Sequence, residues 1–242
     1  AQRVLSGYGQ SGVTDHATGG ACIPEFLLQY EESDWVFLRR LASHFGTYLL
    51  ADATDACGKV YFGIPEIYYG TVLDRQDYTM EKDMLHYARV LEKEGVLSQE
   101  ASCWNVMVRF FLRMGETLTF NGIEAVVTAM RLHTEKGELV YSYVLARRAG
   151  IRREKEKNPG IFGMSIPATV MERSGNRIRV HFEIDPEYEA SEKTKYFTYA
   201  IESSSFYCMP EEGSQVHIYF PDHDEQGAVA VHAIRSGEGA SG

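Results

Sequence analysis

Residues 207–222 read YCMPEEGSQVHIYFPD, and the second half of this run alternates: Val216, Ile218 and Phe220 fall on one side, Gln215, His217 and Tyr219 on the other. Successive side chains of a strand point to opposite faces, so the pattern predicts a half-buried β-strand. Met209-Pro210 and Gly213 supply the corner leading into it. Pro221-Asp222 ends it, because proline cannot donate to a strand ladder. The same period recurs on both sides of the run. RIRVHFEID sets Ile178, Val180, Phe182 and Ile184 on one face after a Ser174-Gly175-Asn176 turn; Phe197, Tyr199 and Ile201 alternate next; residues 227–234 close the set. Five short strands within about 80 residues, with no helical period, predict a small closed barrel of the OB kind over residues 159–236.

Upstream the periodicity changes. SDWVFLRRLASHFG predicts a helix capped by Ser33 and stopped by Gly46. At 100° per residue, Trp35, Leu38, Leu41, Ala42 and Phe45 share an arc of about 120°, with Arg40, Ser43 and His44 opposite. Trp35 is thereby read as core, and its truncation to alanine as a loss of about 3–5 kcal/mol. A second helix is expected from Met80 to Glu94, with Thr79 as cap, Gly95 as stop, and Met80, Met84, Tyr87, Ala88 and Leu91 on its buried face. Short strands are expected at 47–52 and 59–64 and a longer one at 104–112. A hairpin turning at Asn121-Gly122 joins 118–120 to 123–133, and a further strand covers 138–147. That last strand, ELVYSYVLAR, is apolar on both faces, so Val140 and Val144 are candidate interface residues. RRAGIRREKEKNP follows, charged and nearly devoid of apolar residues, and residues 149–158 read as a linker.

The chain has 242 residues, 44% hydrophobic and 24% charged, with a net charge of −10. This is globular composition, and the acidity argues against nucleic acid as a partner, which needs Lys and Arg to neutralise phosphates. From Pro159 onward six Lys/Arg face thirteen Asp/Glu, a net of −7. Cys22, Cys57, Cys103 and Cys208 lie far apart without a Cys-x-x-Cys pair; buried free thiols are expected rather than a zinc site or disulfide framework. No signal-peptide pattern and no membrane-length apolar run is present, which predicts a soluble protein made in a reducing compartment. A start at Ala1 without methionine and the ending SGEGASG fit an excised fragment.

Chemistry is not signalled. Gly7, Gly9, Gly12 and Gly237, Gly239, Gly242 match G-x-G-x-x-G but lack the flanking strand, helix and acidic residue of a dinucleotide site; they read as flexible termini, 1–23 and 237–242. Asp222-His223-Asp224 point in different directions from a strand-end loop, a poor metal geometry. Glu211 and Glu212 face opposite ways, so they form no catalytic pair. Tyr196, Phe206 and Tyr207 could stack on sugars or bases, as aromatic residues of such barrels do. No cofactor is expected.

Two runs carry a resemblance. IPEFLLQYEESDWVFLRRLASHFG resembles a segment of the VgrG and late-control-protein-D family of contractile injection systems, whose signature is QYxExDWxFLxRLAS; here Tyr30, Glu32, Asp34, Trp35, Leu38, Leu41 and Ala42 carry it. The opening stretch is similar to the family's WYCMPExGDxVxxYFP segment, carried by Tyr207, Met209, Pro210, Gly213, Tyr219, Phe220 and Pro221. The resemblance spans about residues 14–236 and implies a mainly β architecture with inserted helices (α+β). A tube-forming β-barrel hub with two helices, residues 24–148, would precede the OB-fold barrel.

The function it implies is structural and non-enzymatic: a hub and spike component of a phage tail, tailocin or type VI secretion baseplate, joining tube to membrane-piercing needle. Its partners would be two further copies in a homotrimer, tail tube and baseplate proteins, and a needle or tip protein. Only the assembled machine would contact the target envelope. The protein would be made in the bacterial cytoplasm and end in the injection particle, without spanning a membrane. The family's first tube barrel would precede Ala1 and its needle repeats would follow Gly242. The competing expectation is a carbohydrate-binding or cell-wall-degrading tail accessory.

Overall fold

A computed structural model describes residues 4, 6–8, 12–52, 54, 58–74, 76–185, 194–200 and 209–232. The fold is mainly β and divides into two compact units, one of residues 1–22 and 33–156, the other of residues 23–32 and 157–242. Among the described residues, no helix is long and apolar enough to cross a membrane.

The first unit holds two sheets. In the smaller, β1 (Val13–Asp15) runs parallel to β3 (Val60–Phe62), and β2 (Leu49–Ala51) is antiparallel to β3 on its other side. Helix α1 (Asp34–Ser43) is capped by the Ser33 hydroxyl, which accepts from the Val36 N–H. Leu38 and Ala42 of α1 join Leu49, Val60 and Phe62 in one core, with Leu41 and Phe45 packed against it. Trp35 is not part of that core and is 41% exposed, because it occupies the first helical turn. The side of α1 read as polar is covered instead: Arg40 and Ser43 are buried. The Ser43 hydroxyl donates to the Arg40 carbonyl and accepts the Glu156 N–H at 2.9 Å.

At Ser43 the cover comes from the stretch read as a linker. Ile151 is buried, Arg153 N–H donates to the Gly46 carbonyl at 3.1 Å, and the Arg153 guanidinium lies over the Tyr48 ring while pairing with Glu156. Charge alone suggested a solvated connector, but guanidinium stems and ion pairs let this segment pack.

The larger sheet has the order β4-β7-β8-β9-β6-β5, comprising β4 (Ile67–Leu73), β5 (Tyr78–Lys82), β6 (Ser102–Val108), β7 (Glu116–Phe120), β8 (Ile123–Glu135) and β9 (Glu138–Ala146). Only the β4–β7 pair is parallel. Both hairpin turns have two left-handed residues, Asn121 and Gly122 at φ 46° and 77°, and Lys136 and Gly137 at 50° and 85°. This twist matches that of the strands and explains why Asn-Gly was legible in the sequence. One sheet face is core, built on Trp104, Val106, Leu118, Phe120, Val127, Tyr143 and Leu145.

The second expected helix is shorter and differently wound. Met80 lies in β5, and α2 (Met84–His86) is capped by Asp83 and continues into a π-turn over Tyr87–Leu91, closed by Glu92 N–H on the Tyr87 carbonyl. Within the expected face only Leu91 is buried, alongside Val90, whereas Met80 and Met84 are exposed. A five-residue turn breaks the 3.6-residue period on which the expectation rested.

In the second unit, β10 (Ser165–Ser174), β11 (Arg177–Phe182), β12 (Phe197–Tyr199), β13 (Gln215–Tyr219) and β14 (Val229–His232) close into a barrel of order β10-β11-β12-β14-β13. Strands β12 and β14 are parallel, the rest antiparallel. A bulge between Val170 and Glu172 bends β10, and β10 pairs with both β11 and β13. The expected inward residues Ile178, Val180, Phe182, Phe197, Tyr199, Val216, Ile218 and Phe220 are all buried in this core. Ile184 is not; it is exposed, because β11 ends at Phe182. Gly213, at φ 84°, makes the corner before β13 and donates to the Val170 carbonyl. Tyr207, with Ile201, Phe206, Cys57 and Cys208, lies outside the described residues.

Residues 23–32, expected in the hub, belong with the barrel. Phe26, Leu28 and Tyr30 alternate onto the barrel core. Phe26 stacks on Phe182 and meets Phe197 edge-on, with ring centroids 5.7 and 5.3 Å apart. Hydrophobic area is the reason: an extended arm with one apolar side gains most by covering an open core.

Candidate functional site

The first unit leaves strand edges open. Among the described residues, β4 and β5 each have a hydrogen-bonded neighbour on one side only. Strand β8 outruns β7, pairing with it only from Ile123 to Val126, so from Thr128 to Glu135 β9 is its sole partner. Unpaired edges offer rows of N–H and C=O groups to another chain, and soluble proteins usually blunt them with charge. Here β5 and β8 do carry charge, at Glu81, Lys82, Arg131 and Glu135, but large apolar residues are exposed beside it: Tyr68, Tyr69 and Val72 on β4, Tyr78 and Met80 on β5, and Leu132 on β8.

Strand β4 is shaped from beneath. Its ladder with β7 skips between Tyr68 and Val72, where Gly70 adopts φ 73°. The Thr71 hydroxyl donates at 2.6 Å to Glu116, which is buried and also accepts the Arg113 N–H at 3.0 Å. The Arg113 guanidinium covers the Tyr69 ring, 5.6 Å from its centroid. Arg148 donates to the carbonyls of Ile64 and Pro65 and to the Thr117 hydroxyl, fixing the chain where β4 begins. Nothing in the hydrophobic pattern announced Glu116; a lone glutamate beginning a strand is an ordinary sight.

The two-faced strand β9 resolves differently from the expectation. Tyr143 and Leu145 are fully buried in the sheet core; the Tyr143 hydroxyl accepts the Leu112 N–H at 2.7 Å, and burial raises its pKa. Val140, on the other face, is only 5% exposed, so this chain covers it without a partner. Val144 is partly exposed and borders an open groove with Ala129 and Met107.

The motif residues divide between the units. Tyr30 and Glu32 fall in the barrel unit, Asp34, Trp35, Leu38, Leu41 and Ala42 in the other. Met209 packs against the barrel core and Phe220 is buried in it, whereas Pro221 and Tyr219 are exposed. The polar candidates have the following surroundings. Asp222 accepts the Asp224 N–H, Asp224 accepts the Gln226 N–H and pairs with Lys157 at 3.1 Å, and Glu211 and Glu212 are exposed. Among the described residues no group of three His, Cys, Asp or Glu could hold a metal. Cys22 is exposed and Cys103 half-buried, so neither is the buried thiol expected. Two carboxylates stand below their ordinary range: Asp15, held first by the Thr18 hydroxyl and then by the N–H groups of Thr18 and Ala17, and Asp52, held chiefly by the Thr54 hydroxyl. Both organise their own loops.

No protein-family model and no curated protein matches the chain. Among solved structures it is similar to the Escherichia coli c3393 protein, described as a component of the type VI secretion system with structural similarity to T4 bacteriophage tail proteins gp27 and gp5. The TM-score is 0.61 at 14% identity, over 91% of this chain and 65% of that one. The likeness is one of fold. The chain spans 65% of the neighbour's length.

Proposed function

We propose that this protein is a structural, non-enzymatic hub component of a contractile tail baseplate, of the phage tail, tailocin or type VI secretion kind, in the VgrG and late-control-protein-D class. The observation carrying this reading is the fold likeness to c3393 over nearly the whole chain, reached independently of the two sequence runs that resemble the family. The barrel supports it too. It is a closed five-stranded barrel whose third and fifth strands are parallel, which fits the OB kind expected of it.

In this reading the first unit is one segment of a tube wall and a homotrimer is the working state, with tube, baseplate and needle proteins as further partners. Apolar strand edges support the ring, because a monomer has no use for Tyr68, Val72 and Met80 in water. In this reading Val144, on the open face, is the more accessible of the two candidate interface residues, since Val140 is covered within the chain. Electron microscopy of the isolated protein tests the reading. Ring-shaped particles with threefold symmetry and a central channel are expected, and particles of a single chain at every concentration would overturn it.

A further inference from the structure

The face of the six-stranded sheet away from its core holds a groove of about 640 Å³, in the range of small-ligand sites. Across its floor run three side chains of unspent hydrogen-bonding capacity. Arg131 and His133 stand two apart on β8 and so share this face, and Ser142 pairs with Arg131 from β9. Among the described residues neither the exposed Arg131 guanidinium nor the Ser142 hydroxyl meets a partner. The His133 Nδ1 is inaccessible and has no hydrogen-bond partner.

A buried N–H without an acceptor is costlier and rarer than a buried acceptor without a donor. With its proton on Nε2, His133 offers that N–H to a ligand and leaves Nδ1 as the orphaned acceptor. The groove thus presents donors: a guanidinium fork, a hydroxyl and an imidazole N–H. Neighbouring acids are partly spent, since Glu81 accepts from the Asn105 amide and Glu138 pairs with Arg109 at 2.9 Å. Glu135, next along the same face, opposes an anion. Beside the donors the floor is apolar, with Val144, Ala129 and Met107.

We propose that this groove binds a small oxyanion, a carboxylate or phosphate group, held by Arg131 with Ser142 and His133 beside it. Guanidinium is the side chain whose planar fork matches such groups. The site needs no second copy of the chain and does not depend on the hub reading.

The test is an NMR titration of the isotopically labelled full chain with sodium phosphate and, separately, sodium acetate, at ionic strength held constant with sodium chloride. Saturable shifts of the His133 ring and Arg131 side chain are expected with at least one anion, and the one that saturates identifies the group. Arg131→Gln should weaken binding about tenfold, the loss of one charge-assisted contact. Glu135→Gln should tighten it, and Arg177→Gln, on the barrel, should leave it unchanged. Shifts that grow linearly with both anions, or an affinity indifferent to Arg131→Gln and His133→Gln together, would overturn the proposal.

Discussion

The side chain of Asn158 donates from Nδ2 to the main-chain carbonyl of Tyr30 at 2.8 Å, across 128 positions of sequence, while its Oδ1 accepts the Gly160 N–H at 2.9 Å. Asn158 is itself buried. One amide thus holds the arm bearing Phe26, Leu28 and Tyr30 to the residue pair that opens the barrel, and each half of the amide is satisfied.

Replacing Asn158 with alanine strands the Tyr30 carbonyl and the Gly160 N–H. Tyr30 is half-buried and Gly160 exposed, so water takes up part of each lost bond; at a net of about 0.5–1.5 kcal/mol per hydrogen bond, the barrel unit should lose about 1–2 kcal/mol. Urea denaturation followed by amide exchange at Val216 and Ile218 measures it. Exchange there no faster than in the wild type would show that the arm is held by its rings alone.

Leu38 and Trp35 separate what the helical arc placed together. Leu38→Ala should cost about 2–5 kcal/mol as a fully buried truncation. Trp35→Ala should cost less than about 1 kcal/mol, since the ring is 41% exposed. Equal shifts in thermal midpoint for the two variants would restore tryptophan to the core.

Gly150 sits where the segment read as a linker presses on the 3₁₀ turn Ser98–Ala101. A Cβ there would overlap the Glu100 carbonyl oxygen, so backbone must move. Gly150→Ala should destabilise the first unit by about 1–3 kcal/mol or more. An unchanged denaturation midpoint would mean this segment is as loose as its charge suggested.

The depressed pKa values of Asp15 and Asp52 set an acid limit. A carboxylate whose folded pKa lies below its unfolded value, near 3.9, contributes stability above that value and loses it as pH falls through the folded pKa. Stability of the first unit should therefore decline below about pH 4. Asp15→Asn should flatten the curve there, leaving a smaller decline from Asp52. A curve of wild-type slope in Asp15→Asn would remove the Thr18 hydrogen bond from the account.

The hairpin turns and the barrel's inward positions were legible because each depends on two or three neighbouring residues: Asn121-Gly122 sets its turn, and Val216, Ile218 and Phe220 set their face. What escaped depends on distant partners. Ser43 looks solvent-facing until Glu156 covers it, and Phe26 reads as hub until the Phe182 and Phe197 rings claim it. The π-turn at Tyr87–Leu91 broke a period that no cap or glycine flagged. The apolar edge strands left the faintest signal, because Tyr68, Tyr69 and Val72 in a strand look the same whether their neighbour is this chain or another.

The hub account rests most directly on what those edges do in solution. Light scattering from about 1 µM to about 500 µM should show the mass rise to three times that of the chain and stop there, since a closed ring has no further edges to offer. Val72→Glu with Met80→Glu should hold the protein at the mass of one chain without lowering the barrel's stability. A mass that stays at one chain throughout the range, or a double variant that assembles as the wild type does, would contradict the account.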